Sequence, residues 1–123
     1  VVSPSAEIGE GVVVLPRAVI HTGARIGAHA VINTGVIVEH DCKIGEGASI
    51  SPGACMAGRV TVERAAFVSV GVTLAPRITV GAATVVGAGA VVVSDLPPGV
   101  LALGVPAKVV RTSLDGFEFA RLL

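Results

Sequence analysis

The residues best suited to chemistry are three consecutive ionisable side chains, Glu39-His40-Asp41. An imidazole beside a carboxylate can be held in one tautomer and strengthened as a base. The other two histidines, His21 and His29, lack such company in the nearby sequence. A lone histidine on a turn usually reads as a solvated surface residue, and both are read so here. The two cysteines, Cys42 and Cys55, give neither a disulfide framework nor a metal-ligand spacing, so no metal is expected.

What must position these residues is a repeat of six. Stepping by six from Val2 through Ile8, Val14 and Ile20 to Val92 meets sixteen positions, all aliphatic or Met. Four residues after each anchor stands a small or modest side chain, such as Ala6, Ala18, Ala24 and Ala48, with Cys42 in the same register. Cys42 is therefore expected to be a small buried thiol, not a nucleophile. Pro4, Pro16, Pro52 and Pro76 stand two after an anchor, and Gly11, Gly23, Gly35, Gly47, Gly53, Gly71 and Gly89 three after one. Proline presets φ and glycine supplies a positive φ, so each hexad reads as a short strand and a sharp corner. Within the strand the side chains alternate inward-small, outward, inward-large. Neither 3.6 nor 3.5 periodicity fits residues 2–97, which excludes helices there.

Three hexads close a triangular coil, and coils stack in parallel like other solenoids. Residues 2–97 supply a little over five coils. At about 4.8 Å per coil the prism is on the order of 25 Å long. No hexad is interrupted, so no long loop should leave the prism. The turn residues of the Glu39-His40-Asp41 hexad depart from the Gly and Pro found elsewhere, which singles that corner out.

Sorting the outward residues at spacing eighteen separates three faces. The first reads Glu7, Arg25, Lys43, Thr61, Thr79 and is a solvated surface. The second reads Val13, Val31, Ser49, Phe67, Val85, and the third Val19, Ile37, Cys55, Thr73, Val91. Two apolar stripes outside an already closed core mark interfaces, and two per prism suit a threefold ring. A homotrimer is expected; cover from the C-terminal tail is the alternative.

Composition narrows the class further. The 123 residues are 52% hydrophobic but only 2% aromatic, so the core must be narrow. Nine basic and nine acidic residues give no net charge, which argues against nucleic-acid or polybasic membrane partners. No apolar run approaches the roughly 20 residues of a membrane span, and no secretory signal is visible. Reduced cysteines fit a cytoplasmic protein. Val1 is not an initiator methionine, which reads as an excised or processed piece.

The hexad pattern resembles the left-handed β-helix acyltransferases, whose hand departs from the usual crossover rule. More selectively, Asn33-Thr34-Gly35 leading to Glu39-His40-Asp41, then Ile44-Gly45-Glu46-Gly47 and Ile50-Ser51-Pro52-Gly53-Ala54, resembles the family of sialic acid O-acetyltransferases and UDP-4-amino-sugar N-acetyltransferases. Leu96-Pro97-Pro98-Gly99 and Gly104-Val105-Pro106-Ala107-Lys108 match that family's exit from the helix.

The resemblance implies an acetyltransferase that takes acetyl-CoA as co-substrate and a sugar, nucleotide-linked in the UDP-4-amino-sugar branch of the family, as acceptor. It makes His40 the general base and Asp41 the acid that strengthens it. Gly58 becomes the backbone N–H that meets the thioester oxygen. Val70 and Ala88 match corners lining the pantetheine groove, and Ser49 stands where relatives often carry a second histidine. Transfer would be direct, since neither cysteine is placed as a nucleophile and no serine has a triad. The site would lie between subunits. Family members usually carry an N-terminal nucleotide-sugar-binding domain, expected to be absent from this chain.

Two other classes stay open. A γ-class carbonic anhydrase-like enzyme needs three histidines converging on zinc, and His21, His29 and His40 have the wrong spacing. A non-catalytic scaffold would want a flat repeated face, for which Thr61 and Thr79 are too few. The division expected is a β-helix over 1–99 and an extension over 100–123. In that extension Val100–Leu103 forms one more strand, Lys108 and Arg111 are either CoA-phosphate contacts or surface charges, and Ser113 caps a short helix to Leu123. Phe117 and Phe119 are expected to pack.

Overall fold

The computed structural model describes residues 1–118. Fifteen two-residue strands, from Glu7–Ile8 to Val91–Val92, recur every six residues. They form a left-handed β-helix with three parallel sheets as its faces. The pairing registers run at eighteen: Glu7 pairs with Arg25, Arg25 with Lys43, Lys43 with Thr61 and Thr61 with Thr79. The second and third faces show the same stacking, Val31 on Ser49 and Ile37 on Cys55 among them. The three outward rows are therefore those expected from the sequence.

Side-chain size dictates the shape. The anchors Ile20, Val38, Met56, Leu74 and Val92 stack in one column and are at most 1% exposed. Between columns the small positions Ala24, Ala30, Cys42 and Ala48 are fully buried, and where the same register takes a larger residue it is Val36, Val60 or Val72, each also fully buried. Outside, backbone groups are spent between coils: Val31 N–H donates to Ala48 O at 2.9 Å and Gly27 N–H to Ile44 O at 2.7 Å. Stacking thus satisfies the polar backbone that each narrow coil would otherwise bury.

Every corner from residue 11 to residue 89 places its third residue in the left-handed region, with φ between 57° and 73°. Seven of these fourteen positions are glycine; the others are Arg17, His29, Asp41, Arg59, Ala65, Arg77 and Ala83. A second set of glycines answers a different need. At Gly9 and Gly27 a Cβ would lie 2.7 Å from the backbone nitrogen of the next coil's corner, and at Gly45 and Gly81 it would also meet backbone. These positions stand directly after an anchor on a spacing of eighteen, broken once by Glu63 between Gly45 and Gly81.

The exit is built around Thr84, which occupies a small inward position and is fully buried. Its hydroxyl donates to Pro97 O at 2.6 Å and accepts from Val100 N–H at 3.2 Å. Beyond it, strand Leu101–Gly104 joins the second face beside Val85–Val86, and Ala107–Arg111 pairs back antiparallel. The extra strand was expected; the returning one was not. On the second face Val85 is 1% exposed, so the cover there comes from within the chain, whereas Val13 at the other end is 46% exposed.

The helix expected from Ser113 does not begin within the described residues. Ser113 Oγ instead accepts from Asp115 N–H at 3.2 Å, and Phe117 N–H donates to Leu114 O across a turn at Gly116, whose φ is 73°. A glycine in the left-handed region ends helical geometry at that point. Phe119 and the remainder of the expected helix lie outside the described residues.

Candidate active site at the His40 corner

The corner between the third and first faces brings together, coil by coil, Ser3-Pro4-Ser5, His21-Thr22-Gly23, Glu39-His40-Asp41 and Ala57-Gly58-Arg59. Its middle coil is locked on both sides. Asp41 N–H donates to Thr22 O below, and Arg59 N–H donates to His40 O above, each at 3.0 Å. Asp41 takes the left-handed corner with φ 58°, a conformation that the short polar Asp side chain accepts more readily than most.

That backbone sets the side chains. His40 Nδ1 lies 3.1 Å from Asp41 Oδ2. A carboxylate can only accept, so the neutral ring that makes this bond carries its hydrogen on Nδ1 and leaves the Nε2 lone pair free. Nε2 faces the next coil: a Cβ built on Gly58 would lie 2.5 Å from it. Only glycine leaves that space to the ring. No partner accepts the Gly58 N–H among the described residues. The corner therefore sets a free basic nitrogen beside a free backbone donor. The His40 and Asp41 side chains are about half exposed, 45% and 51%, so substrate can reach them from solvent.

The neighbouring titratable groups sort differently. His21 Nε2 is 3.5 Å from Glu39 Oε1, which gives the lower histidine a carboxylate partner one coil away that linear sequence hid. His29 sits at another corner, packed where a Cβ on Gly11 would fall. Burial pushes the Cys42 thiol up to about 11, and its Sγ donates to Ala57 O at 3.2 Å. A thiol so held is a packing group, as its register implied. Among the described residues no three His, Cys, Asp or Glu side chains are grouped to hold a metal ion.

The other residues singled out from sequence are not at this corner. Ser49 points outward from the second face, and Val70 and Ala88 lie at the corner between the second and third faces, with Val70 48% exposed. Within one chain the structure brings His40, Asp41 and Gly58 together and leaves Ser49, Val70 and Ala88 apart. Lys108 lies on the returning strand and Arg111 ends it, its guanidinium donating to Asp115 O at 2.7 Å.

Comparison with known proteins gives concordant matches. Residues 23–58 match the family model described as bacterial transferase hexapeptide (six repeats). Among solved structures, the acetyltransferase domain of PglB from Neisseria gonorrhoeae, in complex with acetyl coenzyme A, is 38% identical with a TM-score of 0.88, over 89% of this chain and 53% of that one. A mutant perosamine N-acetyltransferase from Caulobacter crescentus, in complex with CoA and GDP-perosamine, is 42% identical with a TM-score of 0.70, over 88% and 54%. WeeI from Acinetobacter baumannii is 28% identical with a TM-score of 0.76, over 89% and 57%. The chain thus spans little more than half the length of these relatives. No curated protein matches it in a sequence search.

Proposed function

From this chain's membership of the hexapeptide-repeat, left-handed β-helix acyltransferase family, we propose that it transfers an acetyl group from acetyl-CoA to an amino, or hydroxyl, group of a nucleotide-linked sugar. The observation that carries this reading is the His40 ring, with Nδ1 on Asp41 and Nε2 in the space that a Cβ on Gly58 would fill, the N–H of Gly58 having no partner among the described residues. Its relatives' complexes with acetyl-CoA, and with CoA and GDP-perosamine, support the choice of donor and acceptor class.

In this mechanism Nε2 of neutral His40 accepts a proton from the acceptor nitrogen as that nitrogen attacks the thioester carbonyl. Asp41 keeps the ring in the competent tautomer and stabilises the imidazolium that forms. The carbonyl oxygen becomes an oxyanion and accepts from Gly58 N–H, a contact worth roughly 3–4 kcal/mol when the donor is preorganised. The intermediate collapses by breaking the C–S bond, and the imidazolium returns its proton to the departing CoA sulfur. No acyl-enzyme is formed.

The chain acts as a homotrimer in this reading. The second and third faces of each copy meet its two neighbours, covering outward residues such as Val13 and Ile37, which are 46% and 37% exposed in the single chain. Ser49, Val70 and Ala88 line the pantetheine arm in this reading, Val70 and Ala88 through backbone. We read 1–99 as the transferring prism and 100–123 as an extension to it, in a cytoplasmic enzyme.

The test is release of CoA thiol from acetyl-CoA with a panel of nucleotide-linked amino sugars, sialic acid and simple amines, alongside sedimentation equilibrium. Acceptor-dependent thiol release by a species of three times the chain mass is expected. Failure of every acceptor to stimulate release would defeat the proposed reaction, and a monomer with full activity would defeat the shared site.

A further inference from the structure

We infer that Gly23 is a positioning residue for the His40–Asp41 pair: its missing side chain is the space in which the Asp41 carboxylate reaches Nδ1. This rests on the proposed role of His40 for its kinetic consequence, though not for its structural one. Gly23 stands eighteen residues before Asp41, directly beneath it at the same corner. A Cβ built on Gly23 would collide with Asp41 Oδ1. The other carboxylate oxygen, Oδ2, is the one 3.1 Å from His40 Nδ1. The two oxygens are rigidly joined, so displacing one moves the other off the ring.

The floor itself has little freedom to yield. Gly23 N–H donates to Ser5 Oγ at 3.1 Å, and that hydroxyl lies 2.6 Å from Thr22 Oγ1. Thr22 O accepts from Asp41 N–H, which ties the backbone of the upper corner to the lower one. The movable part is the Asp41 side chain, half exposed and free to rotate outward. An added methyl at residue 23 is therefore accommodated by turning the carboxylate away, not by opening the coil.

Gly23 has φ 72°, so replacing it also strains the backbone. Gly47 provides the matched control. Its φ is 67°, it occupies the same place in its hexad at another corner, and a Cβ there would meet nothing within 4 Å. Alanine at either position carries the same left-handed penalty; only Gly23→Ala also disturbs Asp41.

The experiment compares Gly23→Ala, Gly47→Ala and the unaltered full chain by long-range 1H–15N correlation of the His40 imidazole at neutral pH. The unaltered chain and Gly47→Ala should both show the Nδ1–H tautomer. Gly23→Ala should show substantial conversion to the Nε2–H form, which leaves no basic lone pair facing Gly58. In thiol release with the best acceptor of the panel, Gly23→Ala should lower kcat about tenfold, with KM for acetyl-CoA within about twofold. Gly47→Ala should keep kcat.

A Gly23→Ala spectrum matching that of Gly47→Ala overturns the inference, as does an equal fall in kcat for both variants. The spectrum separates this from the assignment of the base. If Gly23→Ala shifts the tautomer while His40→Ala retains turnover, the positioning role stands and the catalytic role of His40 falls.

Discussion

The corners Ser51-Pro52-Gly53 and Glu39-His40-Asp41 are the same turn in the same register, one face apart. Both put their third residue in the left-handed region, Gly53 at φ 73° and Asp41 at 58°. The first is built from residues that make the turn easily, and a Cβ on Gly53 would meet open space. The second carries three ionisable groups on that same turn, and glycines occupy the positions one coil below and above it. The lesson is that stacking dictates the backbone of every corner, so a corner can exchange turn-forming residues for chemical ones at modest cost. It then needs small residues at spacing eighteen, because the neighbouring coils are only about 4.8 Å away.

The largest expected effect of breaking that contrast is at Gly58. Unlike Asp41, Gly58 is not in the left-handed region, so Gly58→Ala adds a methyl without backbone strain and keeps the N–H. The methyl must push the His40 ring aside, and kcat should fall on the order of a hundredfold with little change in stability. Wild-type kcat in this variant would mean that Nε2 does not work where the structure puts it.

Asp41→Gly should have a smaller kinetic effect and no cost in stability. It makes the corner resemble that at Gly53, relieving a left-handed residue while removing the carboxylate from Nδ1. A loss of kcat of about tenfold or more, with an unfolding midpoint equal to or above that of the parent, is expected. A fall in the midpoint would show that Asp41 serves the fold, not the imidazole.

The smallest effects belong to corners without chemistry. Ala65, at φ 57°, is strained where Gly53 is not. Ala65→Gly should stabilise by about 0.5–1 kcal/mol and Gly53→Ala should destabilise by about 1 kcal/mol, both read from chemical denaturation with kcat unchanged. Effects of the same sign at the two positions would contradict the shared backbone on which the comparison rests.

Much of this was legible because one period carries both the fold and its faces. The anchors from Val2 to Val92 fix the register, and the register alone sorts Glu7, Arg25 and Lys43 from Val13 and Val31. His40 stood out because its corner broke the turn composition. The partners that spacing eighteen puts above and below were harder to see: Gly23 under Asp41, and Glu39 against His21, are remote in sequence and adjacent only once coils stack. After residue 97 the period ends. There the returning strand Ala107–Arg111 was not foreseen, and a turn stands where a capped helix was expected, because local propensity had no register to correct it.

The most direct measurement is the turnover of His40→Ala, assayed as acceptor-dependent thiol release from acetyl-CoA, with acetyl-CoA binding measured by calorimetry on the same preparation. Turnover reduced by about 10²–10⁴-fold with binding retained is the predicted result. Turnover within a few-fold of the parent would contradict the assignment of His40 as the base.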